Sequence, residues 1–167
     1  MSYTLEQFAK DCHDTLKASN DPAGRAKLTS FVSRACTDAD FVRAHLGPGN
    51  DAERTVLYED PEFGFCILAH VYKGEKTSSP HDHGPSWAIY GQAKGVTEMT
   101  EWRKLSPPAG DRPGKVEAVR TYKMEPGDAR VYQIGELHSP YRASETRLIR
   151  IEGMNMDRVK RDKYEAA

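Results

Sequence analysis

The chain lacks an excess of charge. Its 24 Lys and Arg face 25 Asp and Glu, a formal net charge of −1, with an isoelectric point near 6.6. That balance gives no electrostatic case for nucleic acid or an anionic membrane as partner. Basic residues gather only in Arg158–Lys163, a short run that reads as a solvated terminal segment. The chain also lacks any apolar stretch approaching the ~20 residues that cross a bilayer. Its first residues, Met1 to Phe8, have neither the basic start nor the apolar run of a secretion signal. A cytoplasmic protein without a membrane partner is the expectation. Cysteine is scarce: Cys12, Cys36 and Cys66 form no close pair and no Cys-x-x-Cys, which argues against a disulfide framework or a zinc ribbon. Cys12 lies on the apolar stripe Leu5, Phe8, Cys12, Leu16, and all three thiols read as buried packing groups. Internal repeats and low-complexity segments are absent as well.

What is present is organised in two parts. The 167 residues suffice for one domain with a full hydrophobic core. Residues 1–51 read as a helical lobe: an amphipathic stripe over 4–18, an Asp21-Pro22 helix start, and a third short helix opening near Thr37 and ending at Gly47-Pro48-Gly49. From Glu53 the apolar period changes from 3.6 to 2. Residues 54–58, 65–72, 86–90, 96–102, 116–122, 129–133 and 146–152 read as strands separated by Gly and Pro turns. Many short strands without intervening helices predict an antiparallel sandwich or barrel over residues 52–155, followed by a C-terminal tail of 156–167.

The chemistry-bearing pattern is His81-Asp82-His83 with Gly135-Glu136-Leu137-His138 downstream. On a strand, side chains two apart share a face, so His81 and His83 aim at one point while Asp82 turns away. A third imidazole from His138 would complete a site suited to Zn, Cu, Fe or Ni with positions left open for chemistry.

These residues resemble the two motifs of the cupin superfamily, jelly-roll barrels that usually hold a metal. Gly74, His81, His83 and Gly95 follow the first motif, with Gly74 one place further out than usual, and Gly127, Gly135 and His138 follow the second. The resemblance implies an all-β cupin jelly-roll carrying a short N-terminal α-helical lobe, with His81, His83 and His138 as metal ligands. Ala88 stands where the superfamily keeps a glutamate ligand; Glu98 and Glu136 are the nearby carboxylates that could replace it. Three neutral histidines leave a divalent ion its full charge, which invites an anionic ligand.

Within the superfamily the chain is similar to the cysteine dioxygenase branch. The segment Phe65–His83, the gapless run from His83 to Gly95, and Glu101-Trp102 all match that group. Arg54 falls within one residue of the group's carboxylate-gripping arginine. That likeness implies Fe(II), with Zn, Ni or Mn as alternatives, and O2 and a small anionic substrate, a thiol or an enolisable carbonyl compound, as partners. Two departures mark a relative with different substrate handling. The cross-linking cysteine of the group aligns with Ala88. Its Ser-x-His-x-Tyr relay would fall at Ile151, Gly153 and Asn155. Arg54 and Trp87 are the expected substrate-binding residues. Strict alternation from His83 points Trp87 to the metal side, whereas a bulge at Gly84-Pro85 would reverse it. Tyr90 reads as barrel packing, His70 as a hydrogen-bonded strand residue, and His13 and His45 as bystanders. Arg130, Arg142 and Arg150 are the fallback anchors for a substrate carboxylate. A non-redox Zn or Ni cupin, or a non-catalytic metal- or ligand-binding cupin, is the alternative function, and a homodimer is expected by analogy with other cupins.

Overall fold

The computed structural model describes residues 2–167. Three helices come first: α1 (Leu5–Ala18), α2 (Pro22–Thr37) and α3 (Ala39–Leu46). Each begins on a side chain that satisfies its free amides. Thr4 and Gln7 form a reciprocal capping box on α1, Asp21 caps α2 ahead of Pro22, and Asp38 caps α3.

Ten strands follow: β1 (Thr55–Glu59), β2 (Cys66–Tyr72), β3 (Lys76–Thr77), β4 (Ala88–Lys94), β5 (Thr97–Ser106), β6 (Gly114–Met124), β7 (Ala129–Tyr132), β8 (Leu137–Arg142), β9 (Thr146–Glu152) and β10 (Tyr164–Ala166). They form two five-stranded sheets, ordered β1-β2-β9-β4-β7 and β10-β6-β5-β8-β3. The antiparallel pairs nest: β2 with β9 and β4 with β7 in one sheet, β3 with β8 and β5 with β6 in the other. Eight strands folded as nested pairs across two sheets make a jelly roll, the architecture expected from the sequence.

The helices correct the all-β description, because they are a packing layer and not an appendage. Ile67, Ala69 and Val71 of β2, Trp87, Ile89 of β4, and Ile149 and Ile151 of β9 share one core with Phe8, Leu16, Leu28, Val32 and Phe41. The first sheet therefore spends its apolar face on the helices. Its alternate residues turn into the barrel, where Ala88 and Tyr90 meet Met99, Met124 and Tyr132 in a smaller cluster. With the largest core outside it, the barrel interior admits polar groups: His70, His83, Gln92, His138, Arg142 and Glu152 are all buried.

Gly91 shows how closely the helices approach. A Cβ there would collide with the Val32 side chain and lie 2.8 Å from Cys36 Sγ. Cys12, Cys36 and Cys66 are free and buried, as the apolar patterning implies. Three strands escape the sequence reading: β3, β8 and β10. The last lies in the segment read as a tail. It pairs parallel with β6, and Tyr164 is buried with Val116 and Leu137.

Candidate metal centre

Backbone pairing brings the first two histidines together. His81 and His138 form an isolated antiparallel bridge, His81 N–H donating to His138 C=O at 3.0 Å and the reverse at 2.9 Å. Their ring centroids lie 4.7 Å apart. His83 follows in a turn and not on the expected strand. Asp82 Oδ1 accepts from Gly84 N–H at 2.9 Å, and Ser86 N–H donates to His83 C=O at 2.9 Å. Gly84 has φ +58°, a conformation that disfavours other residues. The turn keeps His83 on the side of His81, so the convergence read from the sequence stands for a different local reason. One ring nitrogen from each of His81, His83 and His138 lies within 4.8 Å of the other two.

The protonation pattern suits a cation. His81 Nδ1 sits 2.9 Å from Ser79 C=O and His138 Nδ1 3.1 Å from Glu136 C=O. A carbonyl only accepts, so each Nδ1 carries the hydrogen and each Nε2 presents a lone pair inward. His83 Nδ1 faces the Glu152 carboxylate at 3.9 Å, which favours the same tautomer. Burial keeps all three rings neutral: it holds His81 down at about 4, reinforced by Arg150, and pushes His83 and His138 well below the usual histidine range. His83 Nε2 and His138 Nε2 are 3.2 Å apart. Tyr90 Oη is 3.1 Å from each of these and 3.4 Å from His81 Nε2. One phenol proton cannot satisfy three converging lone pairs. A divalent metal satisfies them all, so the residues fit the ion.

Several sequence expectations are corrected here. Trp87 is 5% exposed and packs in the helix-facing core, with Arg25 Cζ of α2 5.7 Å from its ring. It lines no metal pocket, because Tyr90 and Ala88 take the inward positions of β4. Arg54 is already engaged: Nη2 donates to Glu152 Oε1 and Asn155 Oδ1, both at 3.1 Å, and Nε to Asp157 Oδ2 at 2.9 Å. It is therefore not a free substrate anchor. Neither Glu98 nor Glu136 joins the histidines, and Glu136 contributes only its carbonyl. His70 lies outside the cluster, its Nδ1 bonded to Glu53 C=O at 2.7 Å. His13 pairs with Asp60, and His45 packs at a tilt against Phe41.

Two participants escaped the sequence reading. Tyr90 reads as packing from its sequence position, yet its hydroxyl faces all three ligand candidates. Glu152 ends β9 opposite Ala88 in the ladder, so a buried carboxylate stands beside the position where the motif loses one. The available signal was the phase of β9: Ile149 and Ile151 mark one face, which assigns Leu148, Arg150 and Glu152 to the other. A cavity of about 710 Å³ opens beside His81, bounded by Tyr72, Pro140, Arg142, Arg150 and Arg161.

No family model matches the chain. No curated protein sequence matches it. Solved structures similar to it include a cupin superfamily protein from Desulfitobacterium hafniense, at 12% identity and TM-score 0.43, covering 61% of this chain and 76% of that one. KdgF from Halomonas sp. is similar at 14% identity and TM-score 0.46, over 64% and 82% of the two chains. The cupin domain of Schizosaccharomyces pombe Cnp3 is similar at 10% identity and TM-score 0.46, over 61% and 64%. Such values are too low to carry an activity or a ligand from any of them to this chain.

Proposed function

We propose that His81, His83 and His138 hold one divalent metal ion, that the ion is Fe(II), and that the protein dioxygenates a small anionic substrate, a thiol or an enolisable carbonyl compound. One observation supports this above the others. Three neutral imidazoles turn Nε2 atoms toward one point, two of them held unprotonated by carbonyls at Nδ1, and among the described residues no carboxylate joins them. A bound Fe(II) would supply electrons and open coordination positions for joining O2 to an electron-rich anion. For a thiolate the balance is RS⁻ + O2 → RSO2⁻, and no external reductant is consumed.

The remaining work belongs to the chain. Backbone carbonyls of Ser79 and Glu136 fix the tautomers of two ligands, and such outer contacts orient imidazoles toward a metal. The Tyr90 hydroxyl is placed to donate a hydrogen bond to an anion at the same point. Burial excludes water from His83 and His138, 3% and 0% exposed, which strengthens every charge interaction there. The same donor set also suits zinc, whose catalytic sites use three protein ligands, so Lewis-acid chemistry without O2 is the competing reading.

Protein purified without an affinity tag should carry about one metal per chain, and His138→Ala should lose most of it while His70→Gln keeps it. Equal metal content in wild type and His138→Ala would remove the three-ligand reading. Fe(II)-loaded protein should consume O2 only when the right thiol or diketone is present. Full activity with Zn(II), or without O2, would establish the competing reading instead.

A further inference from the structure

We infer that Arg142 and Arg150 form a carboxylate-binding site on the wall of the cavity beside His81. Arg142 leaves β8 four residues beyond His138, and Arg150 stands opposite Tyr90 in the β4–β9 ladder. Both line the same cavity as His81. Arg142 is 1% exposed, its Nε donates to Thr97 Oγ1 at 3.2 Å, and its Nη2 is buried without a partner. Arg150 Nε is likewise buried and unpartnered. Natural interiors almost never leave such donors unmet, and a buried guanidinium without a counter-ion is strongly unfavourable.

The charge count points to a monoanion. Among the described residues Arg142 has no acidic partner within ion-pairing distance. Arg150 has Glu152, 3.8 Å from Nη1, too far for a hydrogen bond and shared with Arg54. One buried and one partly buried cation thus share less than one carboxylate. The guanidinium fork matches a planar carboxylate, which can accept two parallel N–H groups. Tyr72, 4.7 Å from Arg142 Cζ, and Tyr90, 4.2 Å from Arg150 Cζ, cover the guanidinium faces. At about 710 Å³ the cavity takes a small molecule. As a binding site this needs no metal. As the seat of the substrate it rests on the metal reading above, because His81 lines the same cavity, and it names the substrate class: a carboxylate whose other end carries the reacting anion.

The test uses metal-stripped protein with propionate and its neutral isostere propionamide, followed by thermal shift and calorimetry. Propionate should stabilise the wild type and propionamide should not. Arg142→Met and Arg150→Met should each raise the dissociation constant at least about 30-fold, the scale of a charge-assisted pair. Arg130→Gln, a surface change, should leave it within about twofold. Without propionate, Arg142→Met should melt no lower than wild type, since it removes an unpaired buried charge. Arg142→Lys, which keeps the charge and loses the fork, should bind weakly. Equal responses to propionate and propionamide, or an unchanged dissociation constant in both Met variants, would overturn the assignment. Inorganic phosphate binding more tightly than propionate through the same arginines would overturn the carboxylate class. Propionate binding that persists in His138→Ala upholds this site even if the metal reading fails. Its absence from wild type that holds metal overturns this site alone.

Discussion

Glu152 is 2% exposed and serves three basic groups at once: Arg54 Nη2 at 3.1 Å, Arg150 Nη1 at 3.8 Å and His83 Nδ1 at 3.9 Å. Its one full hydrogen-bonded ion pair is with Arg54. Removing that partner leaves a buried carboxylate with one long hydrogen bond, from Met156 N–H at 3.5 Å, and more distant basic groups. Arg54→Gln should therefore destabilise the protein by about 1–2 kcal/mol, below the 3–5 kcal/mol of a wholly buried pair because Arg54 is partly solvated and Arg150 remains. The melting temperature should fall by roughly 2–8 °C. Metal content should stay at the wild-type level, since Arg54 touches none of the three histidines. An unchanged melting temperature would show that Arg54 is a solvated surface arginine, and a loss of metal would show that Glu152 positions His83 through it.

The same alternation that seats Glu152 governs whole strands. On β4 and β9 the odd positions, Ile89, Gly91, Ile149 and Ile151, meet helices, and the even positions, Ala88, Tyr90, Arg150 and Glu152, meet the barrel interior. Trp87 belongs to the odd set. Trp87→Ala should cost about 3–5 kcal/mol as a core truncation while leaving the histidine cluster intact. Urea denaturation paired with metal analysis checks this: loss of metal in the folded variant would return Trp87 to the pocket wall. Gly91→Val should be destabilising by roughly 1–3 kcal/mol, because the added methyls enter space held by Val32 and Cys36. A neutral Gly91→Val would mean that α2 does not lie so close to β4.

Across the whole molecule, burial of histidines makes stability depend on pH. In the unfolded chain each titrates near 6.5. In the fold His81 is held at about 4, and His70, His83 and His138 are lowered further by desolvation first, with nearby arginines adding to it. Between those values the unfolded chain binds more protons, so stability rises with pH there. The contribution is complete above about pH 6.5 and is lost as the pH falls toward 4. Metal-stripped protein should show a level melting temperature from pH 8 to 7 and a steep decline from 6 to 4.5. His70→Gln should shallow that decline. A flat profile down to pH 4.5 would sink the idea that these rings are buried and neutral. Metal should be released over the same range, because protons compete for the ligand nitrogens.

The helices, most strands, the turn positions and the convergence of His81, His83 and His138 were legible in the amino-acid sequence alone. These follow from local rules: capping side chains, period-3.6 and period-2 patterning, glycine and proline at turns, and a His-x-His pair with a distant third histidine. It could not determine which face of the first sheet looks inward. That face depends on where the helices pack, and a sheet covered on both sides offers two buried faces to one alternating pattern. The tertiary structure therefore decided that Trp87 leaves the site, that Tyr90 enters it, and that Arg150 and Glu152 are interior charges and not solvated ones. It also decided that Arg54 spends its fork on Glu152 and Asp157, two acids 98 and 103 residues away. Such pairings are long-range electrostatics between chain segments, and no local spacing encodes them.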